Sequence, residues 1–487
     1  MMPGAMTPPV RTLADIAPLA PELVVVIGAF ALLMLDLFLD ERRRVVTHAL
    51  AIAVLLGAAA MIATGVGGQG MVLADMFVRD TTADVLKLFI LVVTAMSLGY
   101  AWHFMREREL YKGELPVLVL FATVGMMLLV SAPNLATIYV GLEMLALCQY
   151  ALVAIDRDNP VGSEAAMKYF VLGSLASGLL LFGMSLVYGA TGSLDLATIS
   201  NAAASVEGGT RTLLLTGTVF LVVGVCFKFG AAPFHMWLPD AYHGAPTPMA
   251  LFIGSAPKLA VFGMAYRLLE AGVGPLQDQW QVMLALIAAL SLVVGNLFAI
   301  AQTNLKRMLA YSTVSHVGFL LLGLAGGGAE GYAAAMFYAI SYAIMSAAGF
   351  GAIVLLSSRG FEADRIEDFK GLNARSPWMA AMVLVIMASL AGVPPFLGFW
   401  AKLVVLRAAI GGDLMWLAIV GIVFAVVGAF YYLRVIKVMY FDEPEGRAIE
   451  VRGSGPLKLL FAANALALLV LGIAWSPVMA WCQAAFA

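Results

Sequence analysis

Charge is scarce in this sequence. Only 12% of its 487 residues are Asp, Glu, Lys or Arg, about half the ~25% usual in a soluble domain. The longest polar stretch, Ser357 to Ser376, has room for a surface loop with a short helix but not for a soluble domain. A soluble globular protein, a nucleic-acid binder and a secreted disulfide scaffold are excluded. Cysteine is scarce too. Cys148, Cys226 and Cys482 lie far apart in apolar runs, with no metal-ligand spacing and no disulfide framework. They make no cluster that could hold an iron–sulfur centre. There is no Gly-rich dinucleotide fingerprint after a strand and no phosphate-binding loop. The chain therefore neither oxidises a dinucleotide nor hydrolyses ATP alone, and its driving force must come from an ion gradient or a partner. The first twenty residues lack a basic start, an apolar core and a small-residue cleavage site, so the apolar run beginning near Pro21 reads as a retained span.

What the sequence has is hydrophobicity, 62% of all residues. The apolar runs predict an all-α polytopic membrane protein with about fourteen spans: 21–40, 46–66, 82–104, 115–132, 134–155, 164–190, 212–238, 247–270, 280–301, 305–325, 332–357, 377–410, 413–440 and 457–483. Each is near the roughly 20 residues a bilayer requires. Residues 1–487 form one membrane domain: three leading spans (1–112), a first group of five (113–270), a second (271–440) and a last span (441–487). Most of the 28 Lys and Arg, from Arg42, Arg43 and Arg44 to Lys458, follow odd-numbered spans. Only Arg11, Arg79, Arg211, Arg267 and Arg407 fall on the other side. Cytoplasmic loops collect cations, so both termini are expected on the periplasmic side of a bacterial inner membrane.

The remaining cations are Lys87, Lys168, Lys228, Lys258 and Lys402, all lysines and all inside spans. A cation at the bilayer centre costs at least ~2.5–3.5 kcal/mol. Arginine would stay charged there, whereas lysine can lose its proton, which suits a relay. Near a helix end a lysine can also snorkel to the interface, the plainer reading for Lys87. The buried anions are Asp36 and Glu143, with Glu164 near a helix entrance. Glu143 sits about nine residues into its span, roughly 14 Å along the helix, and needs a facing cation to stay ionised. Lys168 and Lys228 are the available partners. Glu164 also lies four residues before Lys168, on one helical face. His316 suits proton handling near neutral pH and equally suits a hydrogen-bonded packing role.

Two spans are broken, and the breaks resemble each other. The run 377–410 would make a helix of about 50 Å, against a ~30 Å apolar core. It contains Gly392-Val393-Pro394-Pro395, which cannot continue an α-helix. The run 212–238 contains Gly230-Ala231-Ala232-Pro233. Similar strings follow: Pro233-Phe234-His235-Met236-Trp237 and Pro395-Phe396-Leu397-Gly398-Phe399-Trp400. Lys228 precedes the first break and Lys402 follows the second. The breaks are five spans apart, and an odd offset places them in opposite orientations. Paired interrupted helices of this kind point to an ion site within an inverted repeat.

These pieces together resemble the antiporter-like membrane subunits of proton-pumping NADH:quinone oxidoreductase (respiratory complex I) and of multisubunit cation/proton antiporters. The marks are Gly141-Leu142-Glu143, Lys168-Tyr169-Phe170, Lys228 through Pro239, Lys258, Tyr311-Ser312-Thr313-Val314-Ser315-His316 and Pro394 to Lys402. Within that family the N-type branch is the most similar. Glu164 to Gly173 resembles its sixth helix, Lys402 stands where the M-type has glutamate, and no long lateral helix follows the last span. The resemblance implies two inverted five-helix repeats, with discontinuous helices at spans 7 and 12. It implies a proton path in which Glu143 pairs with a lysine, Lys228 and Lys258 are central relay groups, and His316 leads to Lys402. It also implies neighbouring membrane-arm subunits as partners, and FMN and iron–sulfur clusters in partner subunits with no cofactor in this chain. The alternative is a subunit of a multisubunit cation/proton antiporter. A structural anchor without pumping would leave the buried lysines dispensable.

Overall fold

The computed structural model describes residues 13–444 and 454–487; Arg11, part of the orientation argument, lies outside them. Three helices lead: α1 (Ala20–Asp36), α2 (Arg44–Ala63) and α3 (Thr81–Glu107). A two-stranded hairpin, β1 (Gly70–Val72) and β2 (Phe77–Arg79), connects α2 to α3. The next group is α4 (Glu114–Val130), α5 (Leu135–Val153), α6 (Pro160–Thr191), the short α7 (Leu196–Ala203), α8 (Gly208–Phe229), α9 (Trp237–Gly244), α10 (Thr247–Gly254) and α11 (Ala256–Tyr266). After it come α12 (Gln277–Ala301), α13 (Leu305–Gly326), α14 (Gly328–Leu356), the one-turn α15 (Leu372–Arg375), α16 (Pro377–Ala391), α17 (Leu397–Gly411) and α18 (Met415–Phe441). The last are α19 (Gly455–Ile473) and α20 (Ser476–Ala484). Among the described residues, twelve helical stretches are long and apolar enough to cross a membrane; Glu114–Val130 and Pro377–Ala391 are apolar but shorter.

The helix starts follow from the loop residues. Asn134, Asn159 and Asn304 each sit at an N-cap, and their side-chain oxygens accept backbone N–H groups of the first turn, which those turns cannot satisfy internally. Two of these loops share a further arrangement. Leu135 N donates to Leu194 O and Leu196 N to Pro133 O, while Leu305 N donates to Asp364 O and Ile366 N to Thr303 O. Each of the two antiparallel clasps, Asn134 with Asp195 and Asn304 with Arg365, thus joins the start of one long helix to the loop after the next.

Burial is uneven. The stretch Thr247–Gly272, α13 and α14 are buried almost all round, whereas only about a third of the apolar stretch of α18 and of α19 is buried. A helix apolar on every side belongs in an interior, and α14 packs against α10, α11, α13, α16, α17 and α19. The chemistry carried by these central helices is therefore shielded from lipid.

The structure departs from the expected segments in three places. The run 247–270 is interrupted at Ser255 (φ −116°, ψ −91°), just before Pro257, and its end unwinds into π-helical turns over Arg267–Gly272. The last run divides at Ala474–Trp475, because Ser476-Pro477 starts a new helix. Lys87 does not snorkel. It is wholly buried and pairs at 2.6 Å with Glu22, an acid the sequence reading passed over. Asp36 lies at the opposite end of α1 and accepts from Thr47 at 3.0 Å.

Candidate functional site

At the first break α8 stops at Phe229, because Gly230 takes a left-handed conformation (φ 79°). Pro233 then lacks the N–H a helix needs. The freed groups find partners: Ala232 N–H donates to Ser291 Oγ at 2.9 Å, and Trp237 Nε1 donates to Phe227 O at 2.9 Å. Phe229 O, at the open end of the helix, accepts from Lys258 Nζ at 2.8 Å. The residue capping this end is thus Lys258 from α11, not Lys228 from the same helix. A helix C-terminus carries about half a negative charge, and it is the counter-charge this lysine meets.

The second break repeats the arrangement. α16 stops at Ala391, with Gly392 left-handed (φ 88°). Lys402, from the following half-helix α17, reaches back so that its Nζ donates to Leu390 O at 3.1 Å and Ala391 O at 2.8 Å. Both ammonium groups also lie over an aromatic ring, Lys258 5.4 Å from Trp237 and Lys402 5.3 Å from Phe319, a favourable placement for a desolvated cation. Neither lysine forms an ion pair with a carboxylate among the described residues.

His316 lies in the buried α13. Its Nδ1 is 2.7 Å from the Tyr338 hydroxyl and its Nε2 3.1 Å from that of Tyr432. Tyr432 meets Ser312 Oγ in a short hydrogen bond, and Tyr342 donates to Thr313 Oγ1 at 2.6 Å. Sequence reasoning found the histidine but missed these hydroxyls. The only signal was the recurrence of Tyr338 and Tyr342 four residues apart on an apolar helix, which packing explains equally well.

Lys228 and Lys258 line one small cavity of about 10 Å³ with Gln149, Tyr169 and Trp237, room for roughly one water. Lys228 has no ion-pair partner within 4 Å among the described residues. One Glu143 oxygen is buried without a hydrogen-bond partner. Glu143 shares its side of α5 with Val140 and Leu147, each more than half exposed. Lys168 is not brought to Glu143. It is half exposed and pairs with Glu164 at 2.7 Å and Asp240 at 3.2 Å, and Asp240 also holds Arg307 at 2.9 Å. Among the described residues no group of three or more His, Cys, Asp or Glu could hold a metal ion.

The family described as NADH:quinone oxidoreductase/Mrp antiporter, transmembrane, matches residues 132–428, which include both breaks and every group just described except Tyr432. NADH-quinone oxidoreductase subunit N of Xanthomonas euvesicatoria pv. vesicatoria is 67% identical over 477 residues, covering 98% of this chain and 97% of that protein. The chain belongs to the NADH-quinone oxidoreductase subunit N family. Subunit N of Thioalkalivibrio sulfidiphilus is 50% identical over 94% of this chain and 96% of its own. A chain of respiratory complex I from Thermus thermophilus superposes with a TM-score of 0.80 at 32% identity, over 94% of this chain and 98% of that one. A chain of the Mrp complex from Dietzia sp. superposes with a TM-score of 0.81 at 22% identity, over 98% and 97%, a likeness of fold alone.

Proposed function

We propose that this chain is a proton-translocating membrane subunit of an NADH:quinone oxidoreductase in a bacterial inner membrane, with both termini on the periplasmic side. In this reading protons pass along Lys228, Lys258, His316 and Lys402, while Glu143 tunes the charge of Lys228. Quinone is reduced elsewhere in the complex, where partner subunits hold FMN and iron–sulfur clusters. The observation that carries the proposal is the pair of buried lysines, each capping the open C-terminal end of a broken helix. Unwound carbonyls at half-helix ends are suited to handling cations inside a membrane. A lysine there can carry a proton and release it, as arginine cannot.

Spans 4–8 and 9–13 are read as inverted repeats with Pro233 and Pro394–Pro395 at matching breaks. The two clasps at Asn134 and Asn304 support this pairing. Glu143 beside the apolar face of Val140 and Leu147 would be costly against lipid, so a neighbouring antiporter-like subunit is placed over that face, with small membrane subunits completing the arm. Lys168, through Asp240, holds α6 to α9 and influences the first break indirectly. The antiporter alternative has fold-level likeness on its side, whereas the subunit N relatives match in sequence over nearly the whole chain.

The test is to replace Lys258 and Lys402 singly by Ala in the complete complex, reconstituted in proteoliposomes. Proton uptake per NADH oxidised should collapse while the complex still assembles. Wild-type pumping in both variants would overturn the relay and leave the chain an anchor.

A further inference from the structure

The lysine sites lie in different halves of the chain, and His316 is bonded to hydroxyls rather than to either lysine. Between the halves sits a group of buried hydroxyls without assigned work. Tyr242 OH and Ser346 Oγ are enclosed and make no well-formed hydrogen bond, although Thr313 lies near the first and Tyr342 near the second. Both point at Gly254: a Cβ built there would lie 3.1 Å from each. Gly254 ends α10 four residues ahead of Lys258, across the interruption at Ser255, and its neighbour Ile253 lines the cavity that holds Lys228 and Lys258. Ser346 lies one turn beyond Tyr342 on α14, and Tyr342 donates to Thr313 and lies 4.8 Å, ring to ring, from His316. Tyr242 rests against Phe350, which fixes its ring.

Resting on the relay reading above, we propose that Tyr242 and Ser346 are the transfer residues joining the Lys228–Lys258 cavity to His316, with Gly254 kept without a side chain to leave their meeting point open. A hydroxyl has one proton to give and lone pairs to receive another. A proton arriving on the Tyr242 oxygen lets the oxygen's own proton pass to Ser346. From there it continues through Tyr342 toward His316, and no residue changes its net charge. Two buried hydroxyls aimed at one point without a well-formed hydrogen bond are costly unless they bond there, and a single water at that point would close the path.

The experiment uses the complete complex in proteoliposomes with Tyr242→Phe, Ser346→Ala and Gly254→Ala beside Lys258→Ala. Phenylalanine keeps the ring against Phe350, so assembly and thermal stability should stay at wild-type levels. Proton pumping should fall roughly tenfold in each, and the solvent deuterium isotope effect on the residual pumping should rise, which a packing defect would not produce. If Tyr242→Phe and Ser346→Ala pump normally while Lys258→Ala does not, the relay stands and this connection is wrong. If Lys258→Ala also pumps normally, the relay itself fails. Should Gly254→Ala misfold, the Tyr242 and Ser346 variants decide alone.

Discussion

Replacing Gly392 by alanine tests whether the helix-end cap on Lys402 matters. Two costs follow from the geometry. The backbone at Gly392 has φ +88°, where an L-residue is strained by about 1–2 kcal/mol. A Cβ there would lie 2.9 Å from Lys402 Cδ and 3.2 Å from its Nζ, so the lysine must withdraw from Leu390 O and Ala391 O. Hydrogen bonds to a charged group are worth about 1.5–3 kcal/mol. Losing roughly 2 kcal/mol from the charged form alone shifts its occupancy by a factor of about 30. Proton pumping by proteoliposomes, read with a pH-sensitive dye per NADH oxidised, should drop by about an order of magnitude. The strain control is Gly360→Ala, with the same kind of backbone (φ +76°) and nothing within 4 Å of the added carbon; it should pump normally. An assembled Gly392→Ala complex that pumps at the wild-type rate would refute the argument.

Lys228→Arg should assemble yet impair pumping nearly as much as Lys228→Ala, since arginine cannot discharge; full activity in the arginine variant would make Lys228 a fixed charge. Glu143→Gln should keep assembly and lower turnover, checked by quinone reduction and proton uptake in the same membranes. Lys87→Met should destabilise the subunit by about 3–5 kcal/mol by stranding Glu22, whereas Lys87→Met with Glu22→Gln should recover most of that loss, read as complex yield and melting temperature. Glu362, in the loop after α14, is bonded to Thr247 and 3.2 Å from Lys306. Burial works against its ionisation, but Lys306, the Thr247 hydroxyl and Arg108 outweigh it and hold its carboxyl below the usual range. A depressed carboxyl stabilises above its unfolded value and loses that contribution as pH falls through the folded one. Glu362→Gln should therefore lower the melting temperature at pH 7.5, with the difference shrinking in acid.

The helices and both breaks were legible because run length and a glycine–proline sequence act locally. Which lysine serves the first break was not. Lys228 is near in the chain, but Lys258 reaches Phe229 O because α11 crosses the end of α8, and that crossing is set by packing. The interruption at Ser255 hid in an apolar stretch whose composition suits an unbroken helix. Glu22 was lost in the first apolar run because its partner lies on α3, beyond a hairpin. The hydroxyls around His316 were unreadable for a similar reason: a tyrosine on an apolar helix looks the same whether its oxygen is bonded or not.

Lys258 and Lys402 are held by carbonyls and not by carboxylates, and this bears on selectivity by sign. A helix end is a permanent dipole that no proton can neutralise, so its preference persists at every pH the protein meets. When either lysine discharges, no anion is stranded. The breaks therefore favour positive charge at two places in the chain and oppose hydroxide or chloride at both, an asymmetry set by the direction of two helices before any side chain titrates.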